Sequence, residues 1–454
     1  MQRRTFLRSL GIATTAGLSA ASVPVAGQPD GDDGYGPVDL DAGPYRTNEQ
    51  VTEELKLLDR TSDRITLTEI GRSAGRNDPL WEVKLGEGDT SVHIIDQIHG
   101  DEPTGTEVSL LMIRQLSQGT SPETEEILEN LSLTFIPRSN PDGAMYREDT
   151  TGDGHEQRVS RRQNTQPWCE CDSRYEPYYN YGTPAGYDMN RDFNIDPGFD
   201  ATPGVDDEAD WWRAEETDDG GTEWYMDQPR EGHVLRGSGL RLTEEVRAIT
   251  DSFLRADPDV AISHHHQNVA TVPDEDEESD PQRSLLSTMP VYGPAYEDQA
   301  PFADPDAPVA DNVNPFIDAE TSARSLRLNQ LVGEALADQP WDAFDTVTRF
   351  GYFPIWGDYF DALCPLTDAA AMLYEVSGQS DQVGDESYGL YLEATRIGYM
   401  ETFSALAEDP QLSDVDEEAY FETPLVGPSL EEVEDADRAS LEGLGQVGGV
   451  ALPR

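Results

Sequence analysis

Lysine is almost missing from this chain. Of 454 residues only Lys56 and Lys84 are lysine; Lys and Arg together number 31 against 90 Asp plus Glu, a formal net charge of −59. A field of that sign repels phosphate and excludes nucleic acid as a partner. The acids are spread over nearly every loop and are not gathered into one tail. Dispersed acid with so little lysine is the composition expected of a protein adapted to molar salt, where the Debye length falls to about 3 Å and self-repulsion is screened. Cysteine is scarce too: Cys169, Cys171 and Cys364 are too few for a disulfide framework and lack the second Cys pair of a structural zinc site. Long apolar runs are also absent. The stretch from Leu10 to Val25 is short and weakly apolar for a membrane span, so no stable span is expected after processing. It follows Arg3-Arg4-Thr5-Phe6-Leu7 and ends in the small-residue site Val23-Pro-Val-Ala26. Residues 1–27 therefore read as a twin-arginine-type export signal, and the mature protein is expected outside the cell or at its surface.

Residues 28–46, rich in Gly, Asp and Pro, read as a linker, and globular character begins at Thr47. Asn48 to Leu58 has helical apolar spacing; Ile65–Ile70 and Trp81–Leu85 alternate at period two; Ser91–Ile98 reads as a buried strand. A helix from Gly105 to Ser117, a strand over Leu131–Ile136, a helix from Leu242 to Leu254 and a strand over Val260–His265 follow. A helix over Ser322–Ala337, a strand over Ala370–Glu375 and a helix over Tyr388–Leu406 close the series. Alternating strand and helix argues for an α/β sheet covered by helices. Residues 144–186, 194–238 and 270–322 read as long acidic insertions, and 409–454 as an acidic, poorly ordered tail.

Histidine numbers only seven, which narrows any metal site. His99-Gly-Asp-Glu102 leaves the strand Ser91–Ile98, and a His and a carboxylate three apart in such a turn can bend onto one Zn²⁺. A third ligand must come from elsewhere, and His264-His265-His266 is the one cluster. It ends the strand that begins at Val260, where α/β sheets bind their ligands. Alternation sets Ser263 and His265 on one face, His264 and His266 on the other. Asp149 to Glu156 has oxygen ligands and glycines but lacks full EF-hand spacing, and reads as an acidic turn.

His99, Glu102, Asn140-Pro-Asp-Gly143, Asn190-Arg191, His265 and Glu375 occur in order, and together they resemble the zinc carboxypeptidases of the carboxypeptidase A/B type over residues 48–408. The resemblance implies a mixed, twisted eight-stranded sheet with helices on both faces, forming one catalytic domain over residues 47–408. It implies that His99, Glu102 and His265 bind one zinc with a position left open for water. Ser263 stands where the family has aspartate in an aspartate-x-histidine pattern, which leaves the choice among the three histidines open. By the same likeness Glu375 is the general base assisting attack by zinc-bound water, and Asn190 and Arg191 hold the substrate's terminal carboxylate. Arg162, with Arg161 beside it, would stabilise the oxyanion, and Tyr352, or else Tyr359, would close over bound substrate. The implied activity is removal of C-terminal residues from peptides. A related zinc amidohydrolase or cell-wall peptide hydrolase would need the same metal and base without the carboxylate clamp; an inactive peptide-binding module would lack a ligand or the base. For the side-chain pocket, Asp358 or Asp361 at its base would select Lys or Arg, and Leu363 or Phe360 would select apolar groups.

Overall fold

The computed structural model describes residues 43–167, 185–199, 212–216, 222–273, 282–340, 344, 346–378 and 388–428. Cys169 and Cys171, residues 1–42 and residues 429–454 lie outside the described residues, whereas Cys364 is fully buried in the core. The strands of the main sheet are β1 (Ile65–Arg72), β2 (Pro79–Leu85), β3 (Thr90–Asp96) and β4 (Leu131–Ile136). The second half adds β5 (Val260–Gln267), β6 (Leu286–Met289), β7 (Val347–Arg349) and β8 (Ala370–Ser377). Their spatial order is β1-β2-β4-β3-β5-β8-β6-β7. β3 runs parallel to β4 and to β5, and β5 parallel to β8, while β1 and β2, β2 and β4, and β6 and β8 pair antiparallel. The mixed eight-stranded sheet expected from the resemblance is thus present.

Among the described residues the α-helices of five or more residues are α1 (Asn48–Thr61), α2 (Thr104–Gln118), α3 (Pro122–Asn130), α4 (Glu244–Ala256), α5 (Ala319–Ala337), α6 (Tyr359–Leu363) and α7 (Tyr388–Glu408). Short polar side chains start most of them: Thr47, Ser121, Thr243, Asp318 and Asp358 each accept a backbone N–H of the first turn. The central strands are buried on both faces, so alternation sorts their side chains between two cores. Val92, Ile94, Ile262, Met372 and Tyr374 pack on α1, α2, α5 and α7. Ile95, Ala261, Ala371 and Leu373 face the other way, onto α4, α6 and the segment around Phe193.

Two strands of the main sheet and two helices, α3 and α6, are not among the elements expected from the sequence. β6 and β7 are four and three residues long and close the sheet from within or beside stretches rich in Asp and Pro. α3 is capped by Ser121 and starts with Pro122, yet buries only Thr124 and Ile127. Part of the expected insertion at 194–238 is a ribbon of three antiparallel strands, Trp212–Glu216, Thr222–Arg230 and His233–Arg236. The boundary expected at residue 408 falls inside ordered chain. Tyr420 is buried with its hydroxyl donating to Thr288 O, Val426 N donates to Arg349 O, and Gly427 N to Thr271 O. These apolar and backbone contacts outweigh the acidic composition that suggested a tail. At the other end Tyr45 is buried and Arg46 pairs with Glu54, so the end of the expected linker is packed as well.

A buried hydrogen-bond chain ties the sheet to α6. Tyr359 Oη lies 2.7 Å from His93 Nδ1, His93 Nε2 lies 3.0 Å from Ser252 Oγ, and Ser252 donates to Glu82, which also accepts from Arg255 at 3.0 Å. With Ser252 donating to the carboxylate, His93 must donate from Nε2 and accept the tyrosine proton at Nδ1. Burial pushes this histidine down to about 3, which keeps it neutral. Ser252→Ala removes the central link and leaves polar atoms of His93 and Glu82 short of a partner. Its expected cost is about 1–3 kcal/mol, read as a lower denaturation midpoint in molar salt at unchanged slope.

Candidate metal centre and catalytic cavity

The parallel strands β3, β5 and β8 end at one edge of the sheet, and a cavity of about 470 Å³ opens there. His99 and Glu102 enter it from the turn after β3, closed by Glu102 N donating to His99 O. Gln97 takes a left-handed conformation (φ 53°) to start the turn. Gly100 packs so tightly on Gly143 that a Cβ would lie 2.2 Å from the Gly143 carbonyl carbon. Asn140 holds the turn from behind: its Nδ2 donates to Ile98 O and Arg162 O, and its Oδ1 accepts from Gly143 N. The Asn-Pro-Asp-Gly segment therefore braces the metal turn and does not itself enter the cavity.

β5 carries His265 into the same space, and the structure separates it from its neighbours. His265 Nδ1 lies 2.9 Å from Glu102 Oε2 and 3.1 Å from His99 Nδ1, and Glu102 Oε1 lies 2.9 Å from His99 Nδ1. His264 points to the opposite face, its Nε2 against Thr395 Oγ1 and its ring stacked on Tyr374. His266 donates from Nδ1 to Gly378 O and accepts Thr104 N at Nε2, which leaves it no lone pair for a metal. Among the described residues, His99, Glu102 and His265 form the one group of His, Cys and acid side chains able to hold a metal ion, their ligand atoms within 4.8 Å of one another.

Two imidazole nitrogens and a carboxylate converging at such distances can offer three electron pairs to one cation. The set matches the two-nitrogen, one-oxygen ligation of hydrolytic zinc. The far side of His99 fits as well: Nε2 lies 3.3 Å from Asp188 Oδ1, so its proton goes to the carboxylate and Nδ1 keeps its lone pair for the metal. Asp188 carries no role in the sequence reading, although it stands two residues before Asn190. Its other oxygen accepts Arg162 Nε at 2.8 Å. Arg162 thereby extends Nη1 to 3.3 Å from His99 Nδ1 and 3.9 Å from Glu102 Oε1.

The pairing of β5 with β8 sets Glu375 directly beside His265. Glu375 Oε2 is sealed from solvent without a hydrogen-bond partner. Burial first, and then the Glu102 charge, push its carboxyl up to about 8. Asn190 and Arg191 line the cavity on a short turn after Asp188. Tyr359 N donates to Asn190 Oδ1, which fixes the amide and leaves its NH₂ to face outward. Arg191 is anchored by Nη1 donating to the Asn190 carbonyl.

Two candidates stand elsewhere. Arg161 lies over the Tyr146 ring and donates to Gln163 O and Asn164 O, so Arg162 is the arginine at the site. Tyr352 is buried at 2% exposure with its hydroxyl on Asp361 Oδ1 at 2.7 Å, and Tyr359 points its hydroxyl at His93. Neither hydroxyl reaches the cavity. The aromatic that overhangs it is Phe353, 43% exposed. A Gly-Tyr pair and a Gly-Asp-Tyr stretch carry no sign of which way each phenol turns. In the Asp149 turn the carboxylate accepts the N–H groups of Gly152, Asp153 and Gly154, the acidic turn expected of it.

Residues 51–283, just over half of the chain, match the profile of the family described as zinc carboxypeptidase, Peptidase_M14. Carboxypeptidase SOL1 of Arabidopsis thaliana is 29% identical over 113 residues, 23% of this chain and 23% of that protein. A zinc carboxypeptidase of Saccharothrix mutabilis subsp. capreolus is 28% identical over 131 residues, 27% of this chain and 30% of its own. The matched region thus spans less than a third of either curated relative. The crystal structure of thrombin activatable fibrinolysis inhibitor shares the fold, with a TM-score of 0.50 and 14% identity over 80% of this chain and 75% of that one. The match over more than half of the sequence places the chain in the zinc carboxypeptidase family.

Proposed function

We propose that this protein is a zinc-dependent metallocarboxypeptidase that removes C-terminal residues from peptides. The observation that carries the reading is that the metal triad, Glu375 and the Asn190–Arg191 pair line one cavity. A peptide whose terminal carboxylate rests on Arg191 lays its last amide bond against the metal triad. Zinc, when bound, supplies a Lewis acid that polarises the carbonyl and acidifies water. The chain's own groups do the rest. Arg191 meets the terminal carboxylate with the two parallel N–H groups of a guanidinium, and Asn190 adds a donor beside it. Arg162, held rigid by Asp188, presents Nη1 where negative charge develops on the carbonyl oxygen. Glu375, in its ionised form, accepts the proton of the attacking water at its unpartnered oxygen and returns it to the departing amine. The acidic surface and the Arg3-Arg4 segment support a further reading, that the enzyme is exported by the twin-arginine route and works in molar salt.

Glu375→Gln keeps the shape but not the proton acceptor. Turnover is expected to fall about 10²- to 10⁴-fold, with zinc by mass spectrometry still near one per chain; undiminished turnover would remove Glu375 from the mechanism. Arg191→Ala should lower kcat/KM for peptides with a free carboxylate by roughly 30-fold or more, the cost of deleting one partner of a buried charge pair. Peptides with an amidated terminus should be unaffected. Equal treatment of both substrate sets by the wild-type protein would favour the zinc amidohydrolase. For the salt reading, Tm followed from 0.2 to 3 M NaCl should climb steadily as the negative charges are screened. A flat profile would contradict salt adaptation.

A further inference from the structure

The cavity continues past Glu375, and its chemistry changes there. On β8 the side chains sharing the Glu375 face are Leu373 and then Ala371, both part of the core that contains Met289 and Phe360. Met289 pairs with Leu373 across the sheet, and Phe350, Phe353 and Ile355 complete the apolar lining. The two carboxylates that could have turned this space into a cation pocket are already engaged. Asp361, 1% exposed, accepts Tyr352 Oη at 2.7 Å, Asn314 Nδ2 at 3.0 Å and Ile355 N at 2.8 Å, and it does not line the cavity. Asp358 reaches the lining, but it caps α6 by accepting Asp361 N at 2.7 Å; burial and then the Asp361 charge push its carboxyl up, and Arg191 is the positive charge that opposes them. A basic side chain seeking Asp358 would have to approach Arg191, its own like charge.

The aromatic over the mouth agrees with this lining. Phe353 meets Phe302 edge to face at 6.0 Å, Phe302 fills the space above Gly351, and the two rings are 43% and 59% exposed. Neither offers a hydrogen bond, so a group passing beneath them gains by burying apolar surface alone.

We propose that this end of the cavity, floored by Phe360, Leu373 and Met289 and overhung by Phe353, selects peptides whose C-terminal side chain is aromatic or large aliphatic and rejects Lys and Arg. The inference rests on the carboxypeptidase reading and names its substrate class. A terminal Phe or Leu leaves water for an apolar wall, whereas an ammonium or guanidinium would enter the same wall with only the helix-capping Asp358 to meet it, beside the like charge of Arg191.

Two succinates test it by binding, independently of turnover: one bears a benzyl group and the other a guanidinoalkyl group. Each has one carboxylate for the metal and one for Arg191. On the zinc-loaded protein in molar salt, calorimetry should give a Kd for the benzyl compound roughly 100-fold below that of the guanidino compound, a difference of about 2.7 kcal/mol. Phe353→Ala should weaken the benzyl compound several-fold and leave unsubstituted succinate unchanged. Kinetics with peptides differing only in the last residue should follow the same order. Equal or tighter binding of the guanidino compound overturns the proposal while leaving the carboxypeptidase reading intact. If neither compound binds, or if Arg191→Ala weakens neither, the carboxypeptidase reading itself falls and takes the pocket with it.

Discussion

β5 and β8 run parallel in a register that faces His265 with Glu375, and one residue of slip in either strand would undo the site. Because side chains alternate along a strand, the slip would turn His265 or Glu375 into the opposite core. The register is held by burial on both faces. Ile262, Met372 and Tyr374 belong to the core beneath α2, α5 and α7, and Ala261, Ala371 and Leu373 to the core beneath α4 and α6, so a shifted strand would misplace both sets at once. β3 is locked to β5 over five residue pairs, Val260 with Val92 through His264 with Asp96, and it delivers His99 and Glu102 at the matching height. Every other element of the site is placed relative to these three strand ends.

Around that centre the polar groups form a chain of dependence. Asp188 orients both His99 and Arg162, so the metal ligand and the cationic donor share one support. Asn140 bridges the carbonyls of Ile98 and Arg162, fixing the turn and the arginine's backbone together. Tyr359 orients Asn190 through its N–H while its hydroxyl is drawn into the chain of His93, Ser252 and Glu82. Asn190 is thus tied across the sheet to the outer edge of α4. Supports of this kind keep ligand rotamers fixed, which a metal site and a positioned base both require.

How much of this the sequence disclosed follows element by element. The strands ending at His265 and Glu375 were readable because their apolar runs are continuous, and His99 with Glu102 because a strand and a turn frame them. Period two separates His265, which shares a face with Ala261, from His264, which shares one with Ile262, but it does not show which face meets the cavity, so the choice among the three histidines needed the structure. β6 and β7 were not readable, since four or three residues carry too little pattern and lie at the sheet's far side. Neither was the direction of a phenol. The family likeness made Tyr352 the candidate lid, yet Asp361 supplies it a buried acceptor from nine residues away. Asp188 was hidden for a related reason: its two partners are 89 and 26 positions distant, and no local pattern marks such contacts. Acid content misled at 409–428, where a few apolar anchors such as Tyr420 and Val426 decide the packing.

Those anchors bear on timing. Val426, Gly427 and Pro428 form part of the cavity wall, joined to Arg349 on one side and Thr271 on the other. Synthesis reaches them after every residue of the metal triad and after Glu375 itself. A nascent chain stopped before Pro424 has His99, Glu102, His265 and Glu375 but an unfinished vessel around them, and the cavity stays open to water on that side until its last wall docks.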